Sequence, residues 1–288
     1  MDHGATWPGL VALGVSLAIC SLGVSGYLRL IARTRSPRRE RWFLRLPAWL
    51  GAWALVAACL LPPLRERSMD SLPWHMAVHI ALMFLVPWLL VLAAPRVPLA
   101  LGFAVRFRRR LLRFLVTAKK KFTHPKLGGL MTSTLASLLL LNGVMVFWHL
   151  PAIYDWASTR MWAHELLMAP SFLLVGLCFW RLILGSHPRP ARASMGGQVT
   201  AILATALCML ILAITMGVMA SQAWYAMDVS MLGETQALEA QRRAAGILWV
   251  CGDLWAIPSL AVLGWRLASE RNGFAEGIEA RLRRGPSA

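Results

Sequence analysis

The stretch Trp74-His75-Met76-Ala77-Val78-His79-Ile80-Ala81-Leu82-Met83-Phe84-Leu85-Val86-Pro87-Trp88-Leu89-Leu90-Val91-Leu92-Ala93-Ala94 contains no acidic, lysine or arginine side chain. Wound as a helix it reaches about 30 Å, the thickness of a bilayer's hydrocarbon core. Six other apolar runs accompany it: Leu10 to Ile31, Leu46 to Leu61, Leu127 to His149, His164 to Leu184, Val199 to Trp224 and Ala244 to Trp265. Of the 288 residues, 58% are hydrophobic and 15% charged, a balance that excludes a soluble enzyme and a disordered chain. The expected fold is all-α, a single polytopic domain of seven transmembrane helices over residues 1–288, with a basic tail from residue 266.

Charge placement orients that bundle. There are 30 Lys+Arg against 13 Asp+Glu, a formal net charge of +17. In a soluble chain this would suggest nucleic acid; here the basic residues cluster between apolar runs, so the reading is no nucleic acid but membrane lipid as partner. Connections 32–47, 95–129 and 181–197, the tail and Arg29 collect 25 of them, whereas Arg65, Arg67, Arg160, Arg242 and Arg243 face the other side. The positive-inside rule then puts the N-terminus outside and the C-terminus in the cytoplasm of a cell inner (plasma) membrane protein. An odd number of crossings follows, and seven satisfies it. The first run lacks a basic n-region and exceeds an h-region, so it is expected to stay as a helix. Residues 103–122, alternating arginines with Phe107, Leu111 and Phe114, read as an interfacial helix. Trp74, Trp148, Trp162, Trp224 and Trp265 are expected at the water interface. Cys20, Cys59, Cys178, Cys208 and Cys251 are isolated and read as small buried hydrophobes.

With this orientation His75, His79, His149 and His164 all fall at or just beneath the outer surface. His75 and His79, four residues apart, share one helix face and could bind one metal. Residues 151–156 form a short loop that brings His149 and His164 together. Met145, Met168, Met216 and Met219 supply a second tier of candidate ligands, and imidazole with thioether is a soft set favouring copper as Cu(I). Methionine is also a common gap-filler of apolar cores. Deeper polar residues, Asp253 and Asn142, are candidates for proton handling or for supporting the ligands, or for a hydrogen bond to each other.

His75-Met76-Ala77-Val78-His79, with Leu82, Pro87, Leu89-Leu90 and Ala94-Pro95, resembles the HMxxH helix of the CtaG-type cytochrome c oxidase assembly factors of bacterial caa-type oxidases. His124-Pro125, Trp148-His149-Leu150-Pro151, Tyr154-Asp155, Gly176, Phe179-Trp180, residues 244–249 with Gly252-Asp253, and Pro258 are similar to that family's order of landmarks, over about Pro73 to Arg271. Where the family's fifth helix begins with two histidines one turn apart, this chain has His164 followed by Met168 or, in another register, an alanine. The resemblance implies a seven-helix factor that helps mature the copper-containing subunit of a cytochrome c oxidase at its CuB centre.

The chain therefore reads as an assembly or copper-handling protein and not an enzyme, since it shows no nucleophile-base-acid set, phosphate loop or Rossmann pattern. The rival readings are a haem-bearing membrane electron carrier or reductase, and a copper transporter. Oligomeric state has no signal in the sequence. Reporter fusions are expected to place Asp70 and Asp155 outside and Lys120 inside; finding Lys120 on the side of Asp155 would overturn the orientation.

Overall fold

A computed structural model describes residues 7–284 except 37, 111–112, 114–116, 118–132, 186–190 and 192, with backbone alone for residue 266 and residues 269–284. The described residues are helical, with no strand among them. The elements are α1 (Trp7–Arg33), α2 (Arg38–Leu60), α3 (Leu64–Asp70), α4 (Leu72–Ala93), α5 (Arg96–Gly102), α6 (Thr134–His149), α7 (Pro151–Ser158), α8 (Met161–Ile183), α9 (Met195–Met219), α10 (Ala226–Leu232) and α11 (Glu234–Arg284). Helices α1, α2, α4, α8, α9 and α11 are each long and apolar enough to cross a membrane, and α6 and α7, bent by 72° at the break between them, bring the number to seven if the pair is counted as one span.

Helix α4 is the axis of the bundle: 61% of its apolar stretch is buried, against 17% for α1. One face, with Met76, Met83, Phe84 and Val91, enters a core shared with α6, α8, α9 and α11. Its other face, with Val78, Leu82, Val86 and Leu90, packs on α1 and α2. Helix α1 is tied to this second core by the Tyr27 hydroxyl, which donates to the Ala93 carbonyl, and by α2's Trp49, which donates to Cys20 O at 3.1 Å.

Three spans contain one π-helical turn each: Ala81–Leu85 in α4, His164–Met168 in α8 and Thr215–Met219 in α9. A π-turn inserts a residue into the helical repeat and re-aims the side chains beyond it by roughly 100°. It also disturbs main-chain pairing, which lipid cannot repair. In α4, Pro87 has no N–H for the Met83 carbonyl four residues back. Helix α8 crosses there, so close that a Cβ on Gly176 would collide with Met83 O, and Trp180 Nε1 donates to Phe84 O at 2.9 Å. In α9, Gln241 of α11 donates to Met216 O at 2.9 Å and accepts from Trp224 N at 2.7 Å.

Several boundaries differ from the sequence reading. Residues 151–156 are not a loop but part of helix α7, started by Pro151 at its first turn. Helix α9 ends at Met219, not Trp224, and α11 begins at Glu234, not Ala244, because Glu234 and Gln241 serve backbone N–H groups of the irregular segment between them. Trp148 is buried and donates to Ser171 Oγ at 2.9 Å, so it joins α6 to α8 instead of marking the interface; Trp74, Trp162 and Trp265 are exposed as expected. Cys178 is exposed, on the outside of α8. Of the basic 103–122 segment, residues 105–110, 113 and 117 are helical and residues 103–104 are not; residues 111–112, 114–116 and 118–122, and His124-Pro125, lie outside the described residues.

The crossing at Gly176 predicts a contrast within one residue type. Gly176→Ala should destabilise the detergent-solubilised protein by about 1–3 kcal/mol, whereas Gly143→Ala, where a Cβ meets nothing within 4 Å, should be neutral or slightly stabilising. Thermal unfolding of both variants checks this, and equal midpoints would show that the crossing can relax.

Candidate metal centre

Three of the predicted histidines converge. His75 and His79 project from α4 and His164 from the first residue of the π-turn in α8, and one ring nitrogen from each lies within 4.8 Å of the others. Ring centroids are 4.2 Å apart for His75 and His79, 5.0 Å for His75 and His164, and 5.4 Å for His79 and His164. His75 and His79 are buried, with Phe172 and Tyr154 closing the sides at ring distances of 5.0 and 5.5 Å.

Hydrogen bonding assigns roles to the ring nitrogens. His75 Nδ1 lies 3.2 Å from the Ser68 carbonyl, which only accepts, so the proton sits on Nδ1 and Nε2 presents its lone pair. That Nε2 is buried without a hydrogen-bond partner, as are both ring nitrogens of His164. Buried polar atoms of this kind are costly unless something pairs them. Lone pairs from three neutral imidazoles, with no carboxylate in the group, fit a borderline or soft cation such as copper or zinc and do not fit Mg²⁺ or Ca²⁺.

His149 stands beside this triad and not within it. Its Nδ1 donates to Met145 O at 2.6 Å, which leaves Nε2 as an acceptor facing Met76 Sδ at 3.3 Å. Two soft donors thus face each other, and Met76 follows His75 directly in α4. Of the second tier, Met145, Met168 and Met216 are buried in the apolar core, while Met219 is 72% exposed. Asn142 donates to Thr205 Oγ1 at 3.1 Å and to Leu138 O at 2.9 Å, linking α6 to α9. Asp253 does not meet it: its carboxylate is exposed on the outer face of α11, in a groove with Gly246, Trp249, Ile257 and Pro258.

Sequence reading missed the ion pair that frames the site. Arg65 Nη2 and Glu165 Oε1 are 2.7 Å apart and buried, joining α3, which supplies the Ser68 carbonyl, to the π-turn that begins with His164. Arg65 reads in the sequence as one more surface charge, and only its partner 100 residues away makes it internal. Removing one member of such a pair costs about 3–5 kcal/mol.

Two cavities reach the imidazoles. A lateral one of about 280 Å³ runs between α1, α2 and α8, lined by apolar side chains such as Val15, Ile19 and Val56 with His79, His164 and Glu165 at its head. A second, of about 30 Å³, opens at the histidine end of the bundle beside His75 and His164. Helix α10 roofs it. That helix is held by Asp155 of α7, whose carboxylate accepts from Ala226 N at 3.1 Å and Met227 N at 3.3 Å, while Tyr154 and Tyr225 pack with centroids 4.0 Å apart. Burial, and then the negative Asp155, push the Asp228 carboxyl of this roof up to about 6.

The sequence pattern of the family described as cytochrome c oxidase caa3 assembly factor matches residues 25–270. Uncharacterized proteins of Mycobacterium bovis and Mycobacterium tuberculosis are each 26% identical over 262 residues, covering 88% of this chain and 37% of theirs. An uncharacterized protein of Mycobacterium leprae is 28% identical over 178 residues, 59% of this chain and 26% of its own. The chain thus spans a little over a third of the length of the first of these relatives. No solved structure matches it.

Asp228 supplies a pH test of the roof. Its folded value lies above its ordinary 3.8, so the folded state binds more protons and stability falls as pH rises through that interval. Asp228→Asn, neutral throughout, should therefore raise the unfolding midpoint of metal-free protein at about pH 7.5 and by much less at about pH 4.5. A gain independent of pH, or a loss at the higher pH, would refute the assignment.

Proposed function

The chain belongs to the family of cytochrome c oxidase caa3 assembly factors, and from that premise we propose that it handles copper, as Cu(I), for the copper-containing subunit of a cytochrome c oxidase at its CuB centre. It does so as a copper-handling assembly protein and not as an enzyme, in the inner (plasma) membrane with the histidine end outward. The observation that carries this reading is the set of three imidazoles, from α4 and α8, whose ring nitrogens lie within 4.8 Å and include three buried atoms without hydrogen-bond partners.

Each part of the surroundings supports it. Neutral imidazoles bind without having to release protons first, so a cation can be taken and given at constant protonation. His149 with Met76 adds an imidazole and a thioether on the same side of α4 as the core, a soft pair adjoining the triad. The lateral cavity opens His79 and His164 toward the membrane, the direction from which a membrane-embedded acceptor would approach. The 30 Å³ cavity beside His75 and His164 has room for one ion or water, which favours an ion over a haem.

The test is complementation of a deletion strain. Loss of the gene should leave oxidase subunits synthesised but lower copper-dependent oxidase activity, while other respiratory routes persist. The wild-type chain should restore it; His75→Ala, His79→Ala and His164→Ala should not, although each accumulates folded protein. Because the three act as one site, the His75→Ala/His79→Ala double variant should lose little more bound copper per folded molecule than either single. Normal oxidase activity in the deletion strain under copper limitation would reject the role, and unchanged copper stoichiometry in the double variant would reject the site.

A further inference from the structure

We propose that four methionines at the mouth of the small cavity form an inlet through which a soft monovalent cation reaches the histidine triad. The inference rests on the copper reading above and deepens it. Met69 comes from α3, Met161 is the first residue of α8, and Met227 and Met231 lie in α10; together with His75 and His164 they line one cavity of about 30 Å³.

Packing does not account for them. The methionines of the core, Met76, Met83, Met145, Met168, Met209 and Met216, are all 3% exposed or less. Met69, Met161 and Met227 are half-buried and Met231 is 54% exposed, so these four thioethers fill no interior gap. They come from three separate elements and converge where an ion would first meet the protein. Asp228 lies among them with its Oδ2 buried and lacking a hydrogen-bond partner, so a positive charge entering the cavity would meet a carboxylate oxygen that nothing else occupies.

The chemistry is a ligand exchange. Thioether sulfur is neutral, soft and weakly basic, so it holds Cu(I) or Ag(I) in preference to hard ions and releases it readily to a better donor. The better donors are next to it: His75 Nε2 presents an unprotonated lone pair, and His164 borders the inlet and the lateral cavity alike. One metal–sulfur bond breaks as one metal–nitrogen bond forms. The copper stays Cu(I), no electron moves, and a neutral imidazole binds through its unprotonated nitrogen without losing a proton.

The test uses the full chain in detergent, supplied with Cu(I) as its complex with a colorimetric chelator, and follows metal transfer by stopped flow beside Zn(II) loading of the same protein. In the variant carrying Met69→Leu, Met161→Leu, Met227→Leu and Met231→Leu, Cu(I) loading should slow roughly tenfold or more while final copper per folded molecule and the Zn(II) rate hold. Met195→Leu, at the opposite end of α9, should change nothing. Should the fourfold variant fail to fold, the Met161→Leu/Met227→Leu pair carries the same comparison with a smaller slowing. An unchanged Cu(I) rate would overturn the inlet; so would equal slowing of Zn(II), which would mean a plugged cavity, or a fall in final copper, which would make the sulfurs resident ligands. Wild-type protein that takes up no Cu(I) would instead reject the copper reading, and the inlet with it.

Discussion

Inside a bilayer every main-chain N–H and C=O must find its partner within the protein. Three π-turns and Pro87 break the regular ladder in the helices that build the site, and the breaks in α4 and α9 are answered by particular neighbours. Trp180 donates to the Phe84 carbonyl, Gly176 lets α8 come against Met83, and Gln241 bridges the end of α9 to the segment after it. These are the contacts that set α4, α8, α9 and α11 against one another, so the placement of His164 opposite His75 and His79 is a consequence of backbone pairing before it is a matter of ligands.

The interior is polarised by the same logic. A buried charge is tolerated when paired, and Arg65 with Glu165 provides the pair on the side of α1 and α2. The neighbouring group of imidazoles has no carboxylate among its members, so it offers nitrogen lone pairs alone. A carboxylate within the triad would favour harder ions; its confinement to Asp228 at the mouth puts negative charge where a cation arrives and soft neutral donors where it rests. Stability is given up for this arrangement, since Asp228 is buried beside Asp155 and three ring nitrogens lack partners.

The landmarks that make the chain resemble its family fall into two groups in space. Pro87, Gly176 and Trp180 meet at the crossing of α4 and α8, and Trp148 at the neighbouring joint of α6 with α8. Tyr154 and Asp155 hold α10 over the histidine end. Most of the motif is therefore framework that positions the histidines, and Asp253, which matches a landmark by sequence, points outward from α11.

The sequence by itself determined the fold class, because predominantly apolar runs of about 20 residues have one stable arrangement in a bilayer and this chain holds seven of them. It also singled out His75 and His79, since residues four apart on a helix share a face whatever surrounds them. Tertiary structure decided the rest. Which histidine joins the pair was settled by packing between helices: His164, at the head of a π-turn that no periodicity announces, meets it, and His149 faces Met76 instead. Arg65 became internal only by meeting Glu165 from another helix. Met69, Met161 and the Met227/Met231 pair of α10 are far apart in the chain, and only the bends that fold α3, α8 and α10 over one end bring the three groups together; spacing along a sequence carries no information about that.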